Sequence, residues 1–286
     1  MNICIFTVIK DEQDYLNDFL EYHTKMGLHI LVYEDLFSYS HKSICDKYDN
    51  VELHSVKELY DEDEIPQLIE NRKNKIPPQT DYINRGLKYI HSLNKYDWCW
   101  LIDTDEYITC TEPISSVLSR FNDRDGILVY WKNFGCSGRI YKPKYDKPIY
   151  DIYTQQCGYE KYSDLKFYKI TKFCVNLNKW TKEKKYWIHN APVNWIKADG
   201  TYKRTEIVYE PLYLRHYITK SAEEYLWKVY VRGMFHPGHR CLKSLFEMCP
   251  EVKEKMDENF LNYFKKKYNV ELPPFLLYIK NYPFRM

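Results

Sequence analysis

The segment Trp98-Cys99-Trp100-Leu101-Ile102, followed at once by Asp103-Thr104-Asp105-Glu106, constrains this chain more than any other. A short apolar run ended by acids predicts a buried strand over 98–103 that delivers carboxylates at its carboxyl end. Side chains alternate along a strand, so Asp103 and Asp105 are expected on one face and Glu106 on the other. In an open α/β sheet the carboxyl ends of the strands border the ligand crevice, and paired oxygen ligands there suit Mg²⁺ or Mn²⁺ carrying a diphosphate. An Asp-x-Asp pair also occurs in surface turns, and the apolar run before it is what favours a site.

The surrounding sequence alternates strand and helix patterns. Strands are expected at 2–9, 29–34, 51–56 and 126–131. Asp11 can cap a helix whose apolar side is Tyr15, Leu16, Phe19, Leu20, His23 and Met26, stopped by Gly27. Thr80 can cap another bearing Tyr82, Ile83, Leu87 and Ile90, and Pro113 opens a third over 113–121. The series βαββαβαβ predicts an α/β fold with a mostly parallel, Rossmann-like sheet and helices on both faces. Beyond residue 132 the pattern loosens. Gly135 and Gly138 frame a turn, 140–210 alternates weakly, and 221–232 and 242–267 read as helices. With no repeat or linker, 286 residues read as one catalytic domain. Within it, the expected divisions are 1–132, where the pattern is regular, 133–235, where it loosens, and a C-terminal helical extension over 236–286.

Charge and cysteine usage exclude some classes. A net charge of +2 from 42 basic and 40 acidic residues gives no global field for nucleic acid. Charge is uneven along the chain, with eleven Lys or Arg against three acids over 161–204, which suits contact with an anionic substrate as well as a solvated surface. The nine cysteines are scattered, without a Cys-x-x-Cys, which predicts reduced thiols in a cytosol and argues against a disulfide scaffold or a zinc ribbon. The N-terminal segment reads as a core strand rather than a signal peptide. No run has the length of a membrane span, although the basic, aromatic tail from Lys265 could rest on a membrane surface.

The order of several motifs resembles a known family. Lys10-Asp11-Glu12 is followed by Tyr15-Leu16 and Glu21-Tyr22-His23, then by Val32-Tyr33-Glu34-Asp35, Gln79 and Asn84, and then by the Asp103–Glu106 signature. Next come Trp131-x-x-Phe134-Gly135-x-Ser137-Gly138, Lys172, and His216-Tyr217-x-x-Lys220-Ser221-x-Glu223-Glu224 leading to Arg232-Gly233. From about residue 3 to about residue 235 this order resembles glycosyltransferases of the GT-A fold, in the group around glycosyltransferase family 92 and its family 2-like bacterial relatives. Asp11 stands where that group usually has Asn.

The resemblance implies a metal-dependent, inverting transfer of a hexose from a nucleotide sugar, by precedent a UDP-hexose, to a glycan or lipid-linked glycan. It implies Mn²⁺ or Mg²⁺ held by Asp103, Asp105 and His216, the last of which as a single residue equally suits a buried hydrogen-bonding role. Thr7, Lys10, Glu12, Asp35, Gln79, Asn84, Asp103 and Lys220 would contact the donor. Trp131, Gly135 and Ser137 would wall the sugar, and Arg85, Lys172, Lys220 and Arg232 are candidates for phosphate or acceptor contacts. Asp105 would be catalytic through the metal. An acceptor hydroxyl needs a general base, for which His189, Glu160 and Asp164 are candidates, with His189 preferred. A cytoplasmic enzyme of surface polysaccharide synthesis, peripheral at the inner face of the membrane, is the expected setting. Two other readings remain open: a haloacid-dehalogenase-type phosphatase with Asp103 as nucleophile, and a non-catalytic carbohydrate-binding protein.

Overall fold

The structure is a computed structural model describing residues 1–74, 78–157, 170–189, 196–201, 206–233, 239–273 and 276, with backbone alone over 239–243. The chain divides into two compact units, residues 1–132 with 165–216, and residues 133–164 with 217–286.

The first unit is a Rossmann-like α/β sheet. Its strands are β1 (Ile3–Ile9), β2 (His29–Glu34), β3 (Val51–Ser55), β4 (Trp98–Leu101), β5 (Glu106–Cys110), β6 (Gly126–Asn133), β7 (Thr171–Asn176), β8 (Ile196–Lys197) and β9 (Leu212–His216). They run in the order β3-β2-β1-β4-β7-β6-β9-β5, with β8 beside β6. The α/β class expected from the sequence is the class observed. Parallel pairing joins β3, β2, β1 and β4, and also β6 with β8. Antiparallel pairing joins β4 with β7, β7 with β6, and β5 with β9. The chain leaves β1 toward β2 on one side and reaches β4 on the other, so a topological switch point lies at the carboxyl ends of β1 and β4.

Side-chain alternation in β1 divides its contacts. Cys4 and Phe6 enter a buried cluster with Leu31, Tyr33, Leu87, Ile90, Cys99 and Leu101, while Ile3, Ile5, Thr7 and Ile9 point to the opposite face. The helix Gln79–Ser92 approaches β1 so closely at Gly86 that a Cβ there would sit 2.3 Å from Phe6 Cε2. Replacing a helical glycine by alanine ordinarily stabilises by about 1 kcal/mol. Here Gly86→Ala is expected to lower stability by about 1–3 kcal/mol through overpacking, read as a lower urea midpoint, and a raised midpoint would contradict this close approach.

Several expectations need correction. The strand at 98–103 ends at Leu101, and Asp103 and Asp105 lie in the reversal between it and β5, which begins at Glu106. The first helix begins at Leu16 rather than at a cap on Asp11. Asp11 instead takes a left-handed backbone (φ 55°), its N–H donating to Ser38 Oγ (3.1 Å) and its Oδ1 accepting from Tyr39 N–H (3.1 Å). This conformation is one that Asp and Asn tolerate better than most residues, which accounts for either residue at that position. The helix expected over 242–267 is two, His239–Met248 and Glu258–Tyr268, separated at Pro250 and restarted by Asp257, whose carboxylate accepts from Phe260 N–H (2.9 Å). The helix over 221–232 is a short α-helix, Ala222–Leu226, running into a π-turn, Trp227–Val231.

The second unit is organised by two buried carboxylates. Glu223 accepts from Lys142 N–H (2.7 Å), Lys267 Nζ (2.7 Å), Tyr268 OH (2.7 Å) and Tyr263 OH (3.2 Å). Glu224 accepts from Tyr153 OH (2.7 Å) and Tyr145 OH and closes a capping box with Ser221. Burying two charges is offset only because their lone pairs are filled by donors. Phe260, Leu261 and Phe264 are buried, so the described part of the tail has an inward apolar face. Among the described residues no helix is long and apolar enough to cross a membrane.

Candidate functional site

The acids after β4 form a tight turn. Glu106 N–H donates to the Asp103 carbonyl (3.0 Å), and Asp103 N–H donates back to Glu106 Oε2 (3.2 Å). This reversal starts β5 at Glu106 and pairs it with β9, in a register that sets Glu106 directly opposite His216. Ligand atoms of Asp105, Glu106 and His216 consequently lie within 4.8 Å of one another, all three residues being buried. His216 Nε2 is 3.8 Å from Asp105 Oδ1. Sequence reasoning set Glu106 on the far side of a regular strand, and the turn brings it into the cluster instead.

Lys172, on β7 beside β4, answers part of this negative charge. Its ammonium donates to Asp103 Oδ2 (2.7 Å) and stands 3.5 Å from Glu106 Oε1. Burial alone would pull its pKa down, but Asp103, Glu106 and Asp105 outweigh burial and hold it charged. Burial pushes the Glu106 carboxyl well above the usual carboxylate range, against the opposing pull of Lys172. Glu106 Oε1 is buried without a hydrogen-bond donor among the described residues. Asp105, Glu106 and His216 thus converge with an unfilled lone pair on Glu106 Oε1. That donor set could hold a divalent metal ion. Asp103 stands apart from the three converging groups and is engaged by Lys172, with its side chain half exposed.

Aromatic rings extend the site. The Trp131 ring lies 3.9 Å from that of His216 and edge-on to that of His189 at 5.0 Å. His189 is exposed as a residue, yet neighbouring atoms crowd its ring, and this desolvation together with the Lys172 ammonium pushes its pKa down to about 4. The direction means a neutral imidazole at pH 7, able to accept a proton. Asn84 holds the segment before it, accepting from Tyr186 N–H and donating to the Tyr186 carbonyl, each at 2.9 Å.

At the carboxyl ends of β1 and β2 two loops clasp each other. His41, buried and missed by sequence reasoning, has its Nδ1 3.0 Å from Glu34 Oε1 and its Nε2 accepting from Glu12 N–H (3.1 Å). Thr7 Oγ1 is buried with no partner among the described residues. Lys10 is partly exposed at the strand end. Asp35 is bound bidentately by Arg72 and also accepts from Tyr82 OH (2.9 Å) and Leu36 N–H (2.9 Å). Arg85 is engaged by Glu64 and Asp81 and lies over the Tyr60 ring, and Gln79 is exposed at the start of its helix.

Other expected site residues belong to the second unit. Lys220 is buried with a left-handed backbone (φ 48°), and Arg232 follows the π-turn. Ser137 Oγ accepts from Gln155 N–H (3.0 Å), and Gly135 packs against the end of the helix His239–Met248. Glu160 and Asp164 lie outside the described residues.

No family model and no curated protein matches the chain. Among solved structures it is similar to the mannosyltransferase Ktr4p from S. cerevisiae, with 13% sequence identity and a TM-score of 0.26 over 45% of this chain. The match spans 39% of that mannosyltransferase, and a likeness so partial assigns neither family nor activity.

Proposed function

We propose that this chain is a metal-dependent glycosyltransferase of the GT-A type, transferring a hexose from a nucleotide-sugar donor to a glycan acceptor. The observation that carries this reading is the convergence of Asp105, Glu106 and His216 beside the carboxyl end of β4, at the switch point of the sheet. A divalent ion bound there would neutralise the leaving diphosphate as positive charge develops on the sugar. Asp105, Glu106 and His216 would hold it, and Asp103, positioned by Lys172, would face the donor ribose or the metal's outer ligands. Thr7, Lys10 and Glu12 would line the nucleotide side, where the buried Thr7 hydroxyl offers an unused hydrogen bond.

On the acceptor side Trp131 supplies an apolar wall beside His216, and His189 sits at its edge as a neutral imidazole suited to take the acceptor proton during inversion. Asp35 is assigned a supporting part, holding Arg72 and Tyr82 beneath the nucleotide pocket. A UDP-hexose donor, a lipid-linked or soluble glycan acceptor, and a place at the inner membrane face in surface polysaccharide synthesis complete the proposal.

The test is thermal stabilisation by nucleoside diphosphates and nucleotide sugars, with and without Mn²⁺, on wild type and Asp105→Asn. A ligand at 100 times its Kd stabilises by about 2.7 kcal/mol, a shift of several degrees. The expected result is a shift with UDP or a UDP-sugar that requires both Mn²⁺ and Asp105. No shift with any nucleotide, or an equal shift in Asp105→Asn, would remove the donor assignment.

A further inference from the structure

A second cluster of metal-ligating atoms lies within the second unit. Cys136, Cys249 and Glu251 bring two thiols and a carboxylate within 4.8 Å of one another. Cys136 and Cys249 have no exposed surface, while Glu251 is partly exposed and opens the cluster to solvent. Cys136 Sγ donates to Glu251 Oε1 (3.3 Å) and Gly138 N–H donates to the same oxygen (3.1 Å).

The backbone is shaped for sulfur. Cys136 N–H donates to Cys249 Sγ (3.0 Å), so the turn already places a backbone donor on sulfur. The turn then passes through two left-handed residues, Ser137 (φ 50°) and Gly138 (φ 71°), which aims both the Cys136 and the Gly138 amides inward. A third thiol approaches the same point. A Cβ on Gly135 would sit 3.2 Å from Cys249 Sγ and 3.5 Å from Cys157 Sγ, so the absence of a side chain there leaves room for both sulfurs. Cys157 is buried, and its N–H donates to the Asn133 carbonyl (3.0 Å), tying it to the same turn.

The cation beside the turn, Lys255, gives its Nζ to the Gly138 carbonyl (3.0 Å). Two thiols and a carboxylate suit a divalent ion with a taste for sulfur, because tetrahedral Zn²⁺ takes sulfur at about 2.3 Å and carboxylate oxygen at about 2.0–2.2 Å. Those bond lengths set ligand atoms within about 4 Å of one another, near the spacing of at most 4.8 Å among Cys136, Cys249 and Glu251, with Cys157 outside that group and drawn in on binding.

We propose that Cys136, Cys249 and Glu251, with Cys157 as the fourth ligand, form a structural Zn²⁺ site. It pins the turn 135–138 to the end of the helix His239–Met248. Binding releases the thiol protons to water and adds the ion's binding free energy to the stability of this unit.

The experiment is metal analysis and Co²⁺ substitution on the full chain. The expected result is one Zn²⁺ per chain, and, after exchange to Co²⁺, a thiolate-to-metal charge-transfer band with tetrahedral d–d bands. Cys249→Ser should lose the band. Glu251→Gln, which keeps both thiols and changes a partly exposed residue, should fold and release the ion more than about tenfold more readily. Asp105→Asn should keep it, separating this ion from the one proposed for the donor site. Absence of stoichiometric zinc, a Co²⁺ spectrum without the thiolate band, retention of the ion in Cys249→Ser, or a Cys136–Cys249 disulfide in non-reducing mass spectrometry would each overturn the proposal.

Discussion

Lys172→Met is expected to destabilise the protein at pH 7, by up to about 3–5 kcal/mol, because Glu106 must then either stay charged without its counter-ion or take up a proton. The substitution keeps the length and apolar stem of the side chain, so the loss is one of charge. Asp103 can turn its half-exposed carboxylate to water, but Glu106 is fully buried and 3.5 Å from the ammonium it would lose. Its pKa already stands well above the ordinary value because of burial, with Lys172 pulling the other way. Without Lys172 it rises further.

The pH dependence follows from that direction. A carboxyl whose folded pKa lies above its unfolded pKa binds more protons when folded, so stability is greatest below the unfolded pKa and falls as pH climbs toward the folded one. Lys172→Met should therefore recover stability on acidification through the range above the ordinary Glu value. Glu106→Gln in the same chain should restore much of the loss at pH 7, because the buried charge is removed with its partner. Denaturation midpoints of the two single variants and the double variant form a cycle, and purely additive losses would show that the pair is not coupled.

Lys172 also marks where sequence reading stops. Thr171–Asn176 is buried at every position, so β7 carries no alternation to betray a strand, and a lysine in such a run looks like surface. Only the antiparallel pairing with β4, across about seventy residues of chain, brings it to Asp103. By contrast β1, β2 and the core of β4 were legible, because each is a mainly apolar run between turn signals in a parallel array. Strand β9 does alternate, burying Leu212, Leu214 and His216, and that pattern was available but short.

The candidate site divides in the same way. Asp105 and His216 were legible from motif order, and the structure brings both into one cluster. Glu106 was misplaced because periodicity assumes that a strand continues, whereas a hydrogen bond from its own N–H to the Asp103 carbonyl closes a turn. Arg85 has its guanidinium engaged by Glu64 and Asp81, neighbours that composition cannot identify. Ser221 and Glu224, parts of the family-like motif, form a capping box, a structural duty that Ser-x-x-Glu spacing announces. The cysteines were read as scattered because Cys136 and Cys249 are 113 positions apart, a separation that excludes a ribbon but not a fold-assembled site.

His23, in the Glu21-Tyr22-His23 helix, is expected to give the protein a steep loss of stability in acid. Its Nδ1 lies 2.9 Å from the Phe19 carbonyl and its Nε2 lies 3.2 Å from Ile108 N. A carbonyl can only accept and an amide N–H can only donate, so the ring must be neutral with its proton on Nδ1. Tyr22 OH donates to the Ile108 carbonyl (2.9 Å), so these two neighbours hold both backbone groups of one residue in β5, the strand that begins with Glu106. Burial pushes the His23 pKa down to about 3, opposed weakly by the bond to Phe19. Between there and the ordinary value of about 6.5 the unfolded chain binds a proton that the folded chain refuses. Stability from this group is complete above about pH 6.5 and is lost at up to about 1.4 kcal/mol per pH unit as pH falls toward 3. His23→Gln can still accept from Ile108 N–H but has no proton to gain. Its denaturation midpoint should lie below that of wild type at pH 7, and its decline between pH 6.5 and pH 4 should be shallower, so the two curves converge in acid. Parallel curves over that range would show that His23 is already protonated in the folded state, and that the tautomer which anchors β5 is not the one its two partners require.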